Sequence, residues 1–175
     1  LGTFYAHRWI KTTEPNLHQA DLDQAINLIR EAIKTNPEAH FGREVAQLAV
    51  LEWLKKSFQP NKDSGDSDGS ISSISDSIIM FEQDHGDVDL SKALCGLVQM
   101  GAAWESIDVF LWLSASEQVH SYGGSFKPNT SLAELILWRI TELAGSGKTT
   151  VSGDRMIQDM LAGSETLDAR TRQPG

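Results

Sequence analysis

An all-α fold is predicted from three features of the sequence. Apolar residues recur at helical spacing along several stretches, helix-capping residues precede most of those stretches, and no run shows sustained period-two alternation. The stretches follow one another closely, and a short joint makes consecutive helices antiparallel neighbours, so the expected architecture is a set of stacked helical hairpins.

The clearest helix begins at Asp21. Leu22, Ala25, Ile26, Ile29, Ala32 and Ile33 fall at i, i+3, i+4, i+7, i+10 and i+11, one stripe of an amphipathic helix. Asp21 with Gln24 reads as a capping box, and Asn36-Pro37 stops this helix while offering the next an N-cap and a first-turn proline. The following helix, over 37–56, carries Phe41, Val45, Leu48, Ala49, Leu51, Trp53 and Leu54 nearly all round its axis, as expected of a helix packed between others.

Residues 59–77 change character, with Pro60, Gly65, Gly69, four aspartates and seven serines, and read as a long solvated loop. Ile71, Ile74, Ile78 and Phe81 add a short docking helix at its end. Asp89 caps a helix running to about Met100, and Gly101 separates it from another over 104–120. Ser131 with Glu134 opens a helix that ends at Gly145. A short helix over 153–161 precedes a frayed tail. The organisation is therefore hairpins over 1–58, an acidic Ser/Asp-rich segment over 59–88, further hairpins of the same domain over 89–162, and a flexible tail over 163–175.

Composition narrows the function classes. The 175 residues, 40% hydrophobic, match a globular domain with one core. Net charge is −9, which argues against nucleic acid as a partner because phosphate contacts need a basic footprint. Eight acids against one lysine in residues 59–91 supply most of that charge, so the acidity belongs to a segment. The longest aliphatic or aromatic run, Val109 to Leu113, is far too short for a membrane span. Cys95 is the only cysteine and reads as a buried, inert thiol; nothing calls for an oxidising compartment, which favours a cytoplasmic setting. Leu1 opens the chain without methionine or a signal-peptide layout, as in a fragment or processed product.

Ala25, Ile29, Ala32 and Pro37 resemble the second helix of a tetratricopeptide repeat (TPR), in which small alanines let the paired helix approach and proline breaks the chain between repeats. Leu1, Gly2 and Tyr5 are similar to that repeat's first-helix signature. Gly2 and Ala25 lie 23 positions apart where the motif has about 12, so roughly eleven residues around 11–20 stand as an insertion. Gly101, Ser106 and Phe110 fall where a degenerate second copy would place its turn glycine, small residue and large residue. The resemblance implies a short TPR-like right-handed array; the alternative is an irregular helical bundle.

Several motifs imitate chemistry. Gly145-Ser-Gly-Lys148-Thr-Thr suggests a phosphate loop, but Glu142 occupies the position of its first glycine and a helix, not a strand, leads in. A helix C-terminus with a lysine near the dipole explains it better. Asp66, Asp68 and Gly69 imitate the middle of a calcium loop whose ends, Ser64 and Ser75, lack the required ligands. The five histidines show no i, i+4 pairing, so no metal site or cofactor is expected, although His85 stands among Asp84, Asp87 and Asp89. Glu52 and Arg139 interrupt apolar stripes and should be paired or face a groove, with Glu142 a ready partner for Arg139.

These readings converge on a protein-protein interaction or scaffolding module rather than an enzyme. The resemblance implies that the first helix of each pair lines a concave groove, which places Phe41, Glu44, Leu48 and Glu52 in the unit after Pro37 on that groove. An apolar floor with acidic edges would suit a basic or amphipathic peptide or partner helix. The competing readings are a metal-dependent enzyme with His85 and nearby carboxylates between helices, or a purely structural helical segment of a larger protein.

Overall fold

The computed structural model describes residues 1–11, 18–36, 39–58, 71–100, 102–123 and 130–150, and no strand occurs among them. They contain α1 (Gly2–Ile10), α2 (Gln19–Thr35), α3 (Arg43–Phe58), α4 (Ile71–Asp84), α5 (Leu90–Met100), α6 (Ile107–Gly123) and α7 (Thr130–Gly145). Short 3₁₀ turns at Ala39–Gly42 and Ala102–Glu105 precede α3 and α6. The all-α expectation holds.

α3 and α6 form the axis of the core. Residues 107–113 of α6 are buried without interruption, as are Ala115 and Ser116, because α4, α5 and α7 all pack on this helix. α3 buries Val45, Ala46, Val50, Leu51, Trp53 and Leu54 beneath α2, α4 and α5. The two helices meet through Trp53 and Trp112, whose rings stand edge to face at 6.1 Å and 74°.

The first three helices alternate in direction. Gly2 of α1 lies against Ala25 and Ile29 of α2, whereas Arg8 near the other end reaches back to Asp21, so the pair is antiparallel. Lys55–Asp23 and Arg30–Glu52 contacts, both 2.6 Å, fix α2 antiparallel to α3. α1 and α3 therefore run the same way on one side of α2, with Thr3 facing Gln47. A Cβ on Gly2 would sit 2.7 Å from Ile29 Cγ1 and 3.2 Å from the Ala25 carbonyl oxygen, so hydrogen at this position lets the backbones approach.

Several helix starts differ from the sequence expectations. Asp21 does not cap α2: His18 is the N-cap, and the Asp21 carboxylate accepts both Nε (2.6 Å) and Nη2 of Arg8. A two-point charge-assisted contact outcompetes a single cap bond. The helix expected over 37–56 begins only at Arg43, because Phe41 and Gly42 take left-handed φ of 59° and 77° and interrupt it. Gly42 meets a second demand there, since a Cβ would stand 2.5 Å from Val88 Cγ1.

The docking helix expected on Ile71, Ile74, Ile78 and Phe81 is present as α4, which starts at Ile71 and so takes in residues 71–77 of the stretch read as loop; Ile74, Ile78 and Phe81 seat it on the core. α6 starts at Ile107 rather than 104, with Ser106 Oγ accepting the Val109 amide at 3.4 Å. Ser106 thus stands at the N-cap position of α6. α7 begins at Thr130, which puts Ser131 inside the helix instead of at its cap. The Asp89 cap is present, its Oδ1 accepting the Lys92 amide at 2.9 Å. The helix expected over 153–161, the tail over 163–175 and the aspartates at 66 and 68 lie outside the described residues.

Ala25 and Ala32 separate in the structure. Ala25 is wholly buried at the α1 crossing, but Ala32 is exposed, since α1 reaches no further along α2 than the neighbourhood of Ile29. Ala25→Leu should cost about 1–3 kcal/mol by overpacking, whereas Ala32→Leu should stay within about 0.5 kcal/mol of the parent. Urea unfolding checks both, and equal effects at the two positions would contradict this packing.

Candidate functional site

A cleft of about 840 Å³ lies between α1 and α3. This volume falls within the range of small-ligand sites. α1 contributes Ala6, His7, Ile10 and Lys11, and α3 contributes Gln47, Val50, Leu51 and Leu54. Leu97 of α5 and Val109 of α6 extend the apolar floor. Glu105, Asp108 and the Gly147–Thr150 segment close the far wall. The cleft has a packing origin: α1 rests chiefly on α2, and α2 on α3, leaving the direct α1–α3 contact thin.

Charge is concentrated at the rim. Lys148 reaches Glu105 at 3.2 Å across the far wall, and Asp108 is buried beside them. On the α1 side, His7 and Lys11 lie four residues apart on one helical face. Neither makes a hydrogen bond or ion pair through its side chain among the described residues. Burial of the half-buried His7 ring, reinforced by the Lys11 charge, holds its pKa below the ordinary histidine value.

The Gly147–Thr150 wall explains why the Gly-Ser-Gly-Lys sequence is not a phosphate loop. Gly147 takes φ 83°, its N–H donates to the Ala144 carbonyl at 3.0 Å, and the Lys148 N–H donates to the Leu143 carbonyl at 3.0 Å. This is a Schellman ending of α7, and it commits the amides that a phosphate would need. The carbonyl end of a helix also repels an anion.

The four residues read from sequence as groove-lining stand elsewhere on α3 and its approach. Phe41 is 72% exposed, with the Lys92 ammonium 5.0 Å from its ring centroid. Glu44 pairs with Arg43 at 2.8 Å, Glu52 pairs with Arg30 of α2, and Leu48 packs half-buried against the core. None of the four lines the cleft. Those that do on α3, Gln47, Val50, Leu51 and Leu54, occupy a neighbouring face. Sequence reading passed over His7 and Lys11, whose only sequence signal was their four-residue spacing.

Other candidate groups resolve into packing. Arg139 donates to Glu142 at 2.5 Å, as its spacing suggests, and also to the Trp104 carbonyl at 2.8 Å, clamping the 3₁₀ turn to α7. Cys95 is half-buried and free, with burial pushing its thiol pKa up. His85 lies 5.1 Å from the Phe81 ring. Among the described residues, no three His, Cys, Asp or Glu side chains gather as metal ligands, and no helix is long and apolar enough to cross a membrane. Comparison of the chain with protein-family models, curated proteins and solved structures finds no match.

The His7 environment has a consequence for stability. Its folded pKa lies below the unfolded value, so the unfolded chain binds the extra proton first and folding weakens as pH falls below about 6.5. Thermal unfolding between pH 8 and 5 should show an acid-side loss that is smaller in His7→Gln; identical profiles for the two proteins would contradict the assignment.

Proposed function

We propose that this chain is a TPR-like protein-protein interaction or scaffolding module that binds an amphipathic peptide or partner helix in the cleft between α1 and α3. The observation that carries the reading is the cleft itself: α1 and α3 run alongside one another on one side of α2, and between them lies an apolar floor with a charged rim. The close approach of Gly2 to Ala25 supports a repeat-like pairing, because it is the small-residue contact between the two halves of the resemblance. An amphipathic partner suits an apolar floor whose rim carries both signs of charge. The preference for a basic partner loses support, since Glu44 and Glu52 are already paired within the chain.

Selection from a random-peptide library displayed on phage tests the proposal. Enriched peptides should bind with micromolar affinity. Gln47→Trp, which places an indole on the cleft wall, should weaken them about tenfold or more, whereas Phe41→Ala should leave them nearly unchanged. Loss through Phe41→Ala with no effect of Gln47→Trp would move the groove to the 41–52 stripe and contradict the reading.

A further inference from the structure

We infer that the peptide received by the cleft carries an internal acidic side chain whose carboxylate sits against His7 and Lys11. The inference rests on the reading of the cleft as a peptide groove and specifies its chemistry. Three observations support it.

First, the His7 imidazole and the Lys11 ammonium stand on one face of α1 at the cleft, and neither makes a side-chain hydrogen bond or ion pair among the described residues. The other lysine of the cleft, Lys148, is held by Glu105. Two adjacent donors without acceptors match a carboxylate, which accepts through two oxygens.

Second, the wall beside them supplies apolar contact from Ala6, Ile10, Val50 and Leu54, so the charge can be received next to a desolvated floor, where such a bond is stronger than in water. Third, among the described residues the charges around His7 leave this end open to an anion. Lys11 follows at the end of α1, the other α1 cation, Arg8, is paired with Asp21 of α2, and α3 faces the cleft with the neutral Gln47. Of the other charged residues that line the cleft, Glu105 is paired with Lys148, and Asp108 is buried on α6. A bound carboxylate would reverse the effect that Lys11 and burial have on His7, raising its pKa and linking recognition to pH. Affinity should rise as pH falls from 8 to 6, a range in which a glutamate remains ionised.

Synthetic peptide pools built on a mixed Leu/Phe/Ala scaffold with a single central Glu, Gln or Lys provide the probes, read by fluorescence polarisation at pH 8 and pH 6. The Glu pool should bind about tenfold tighter than the Gln pool, and its advantage should grow by about threefold at the lower pH. Lys11→Gln, at an exposed position, should remove most of the Glu advantage and leave the Gln pool unchanged. His7→Gln should remove the pH dependence, with thermal unfolding confirming that the variant is folded. Equal binding of the Glu and Gln pools, both lost in Gln47→Trp, would overturn the acidic-peptide inference while leaving the groove in place. A preference for the Lys pool would overturn it as well, and the absence of binding by every pool would overturn both the inference and the groove.

Discussion

Two of the described helices, α3 and α6, carry apolar residues round most of their circumference and need neighbours on several sides. α6 buries every residue from 107 to 113, and α3 places Val45, Ala46, Val50, Leu51, Trp53 and Leu54 under its neighbours. Burying a large apolar side chain is worth roughly 1.5–3 kcal/mol, so these two segments carry much of the gain that offsets chain ordering. α4, α5 and α7 enclose α6, while α2, α4 and α5 enclose α3. The Trp53–Trp112 contact joins the two axes into one core.

α1 is held differently. It adds Ala6 and Trp9 to the core but packs chiefly on α2, where Gly2 permits the close crossing with Ala25 and Ile29 and the Arg8–Asp21 pair fixes the other end. The pair is solvent-facing and adds orientation more than stability. Because α1 is hung on α2 instead of being pressed onto α3, a gap persists beside α3. That gap is the cleft, and His7 and Lys11 line it without a side-chain partner among the described residues.

The strongest periodicities were legible from sequence: the stripe of α2, the all-round apolar pattern of α3, the Asp89 cap and the Arg139–Glu142 pair all appear as expected. Helix starts were less legible because tertiary partners decide them. Asp21 is drawn off its cap by Arg8, a residue 13 positions away, and α3 is cut short by a left-handed Phe41-Gly42 step that admits Val88. The candidate site was barely legible. Helical spacing put Phe41, Glu44, Leu48 and Glu52 on one stripe but could not say which stripe of an all-round apolar helix faces open space. Arg30 from α2 occupies Glu52, and the gap falls beside Gln47 instead.

Amide hydrogen exchange on Gly2→Val tests most directly whether the crossing with α2 is what docks α1, so that α1 can open while the α3–α6 contact holds. The added side chain would force Ile29 and the Ala25 carbonyl apart from α1. The account predicts that α1 amides lose their protection while those of α3 and α6 keep theirs, an opening confined to one element. Retained protection throughout α1, or a parallel loss across α3 and α6, would contradict it.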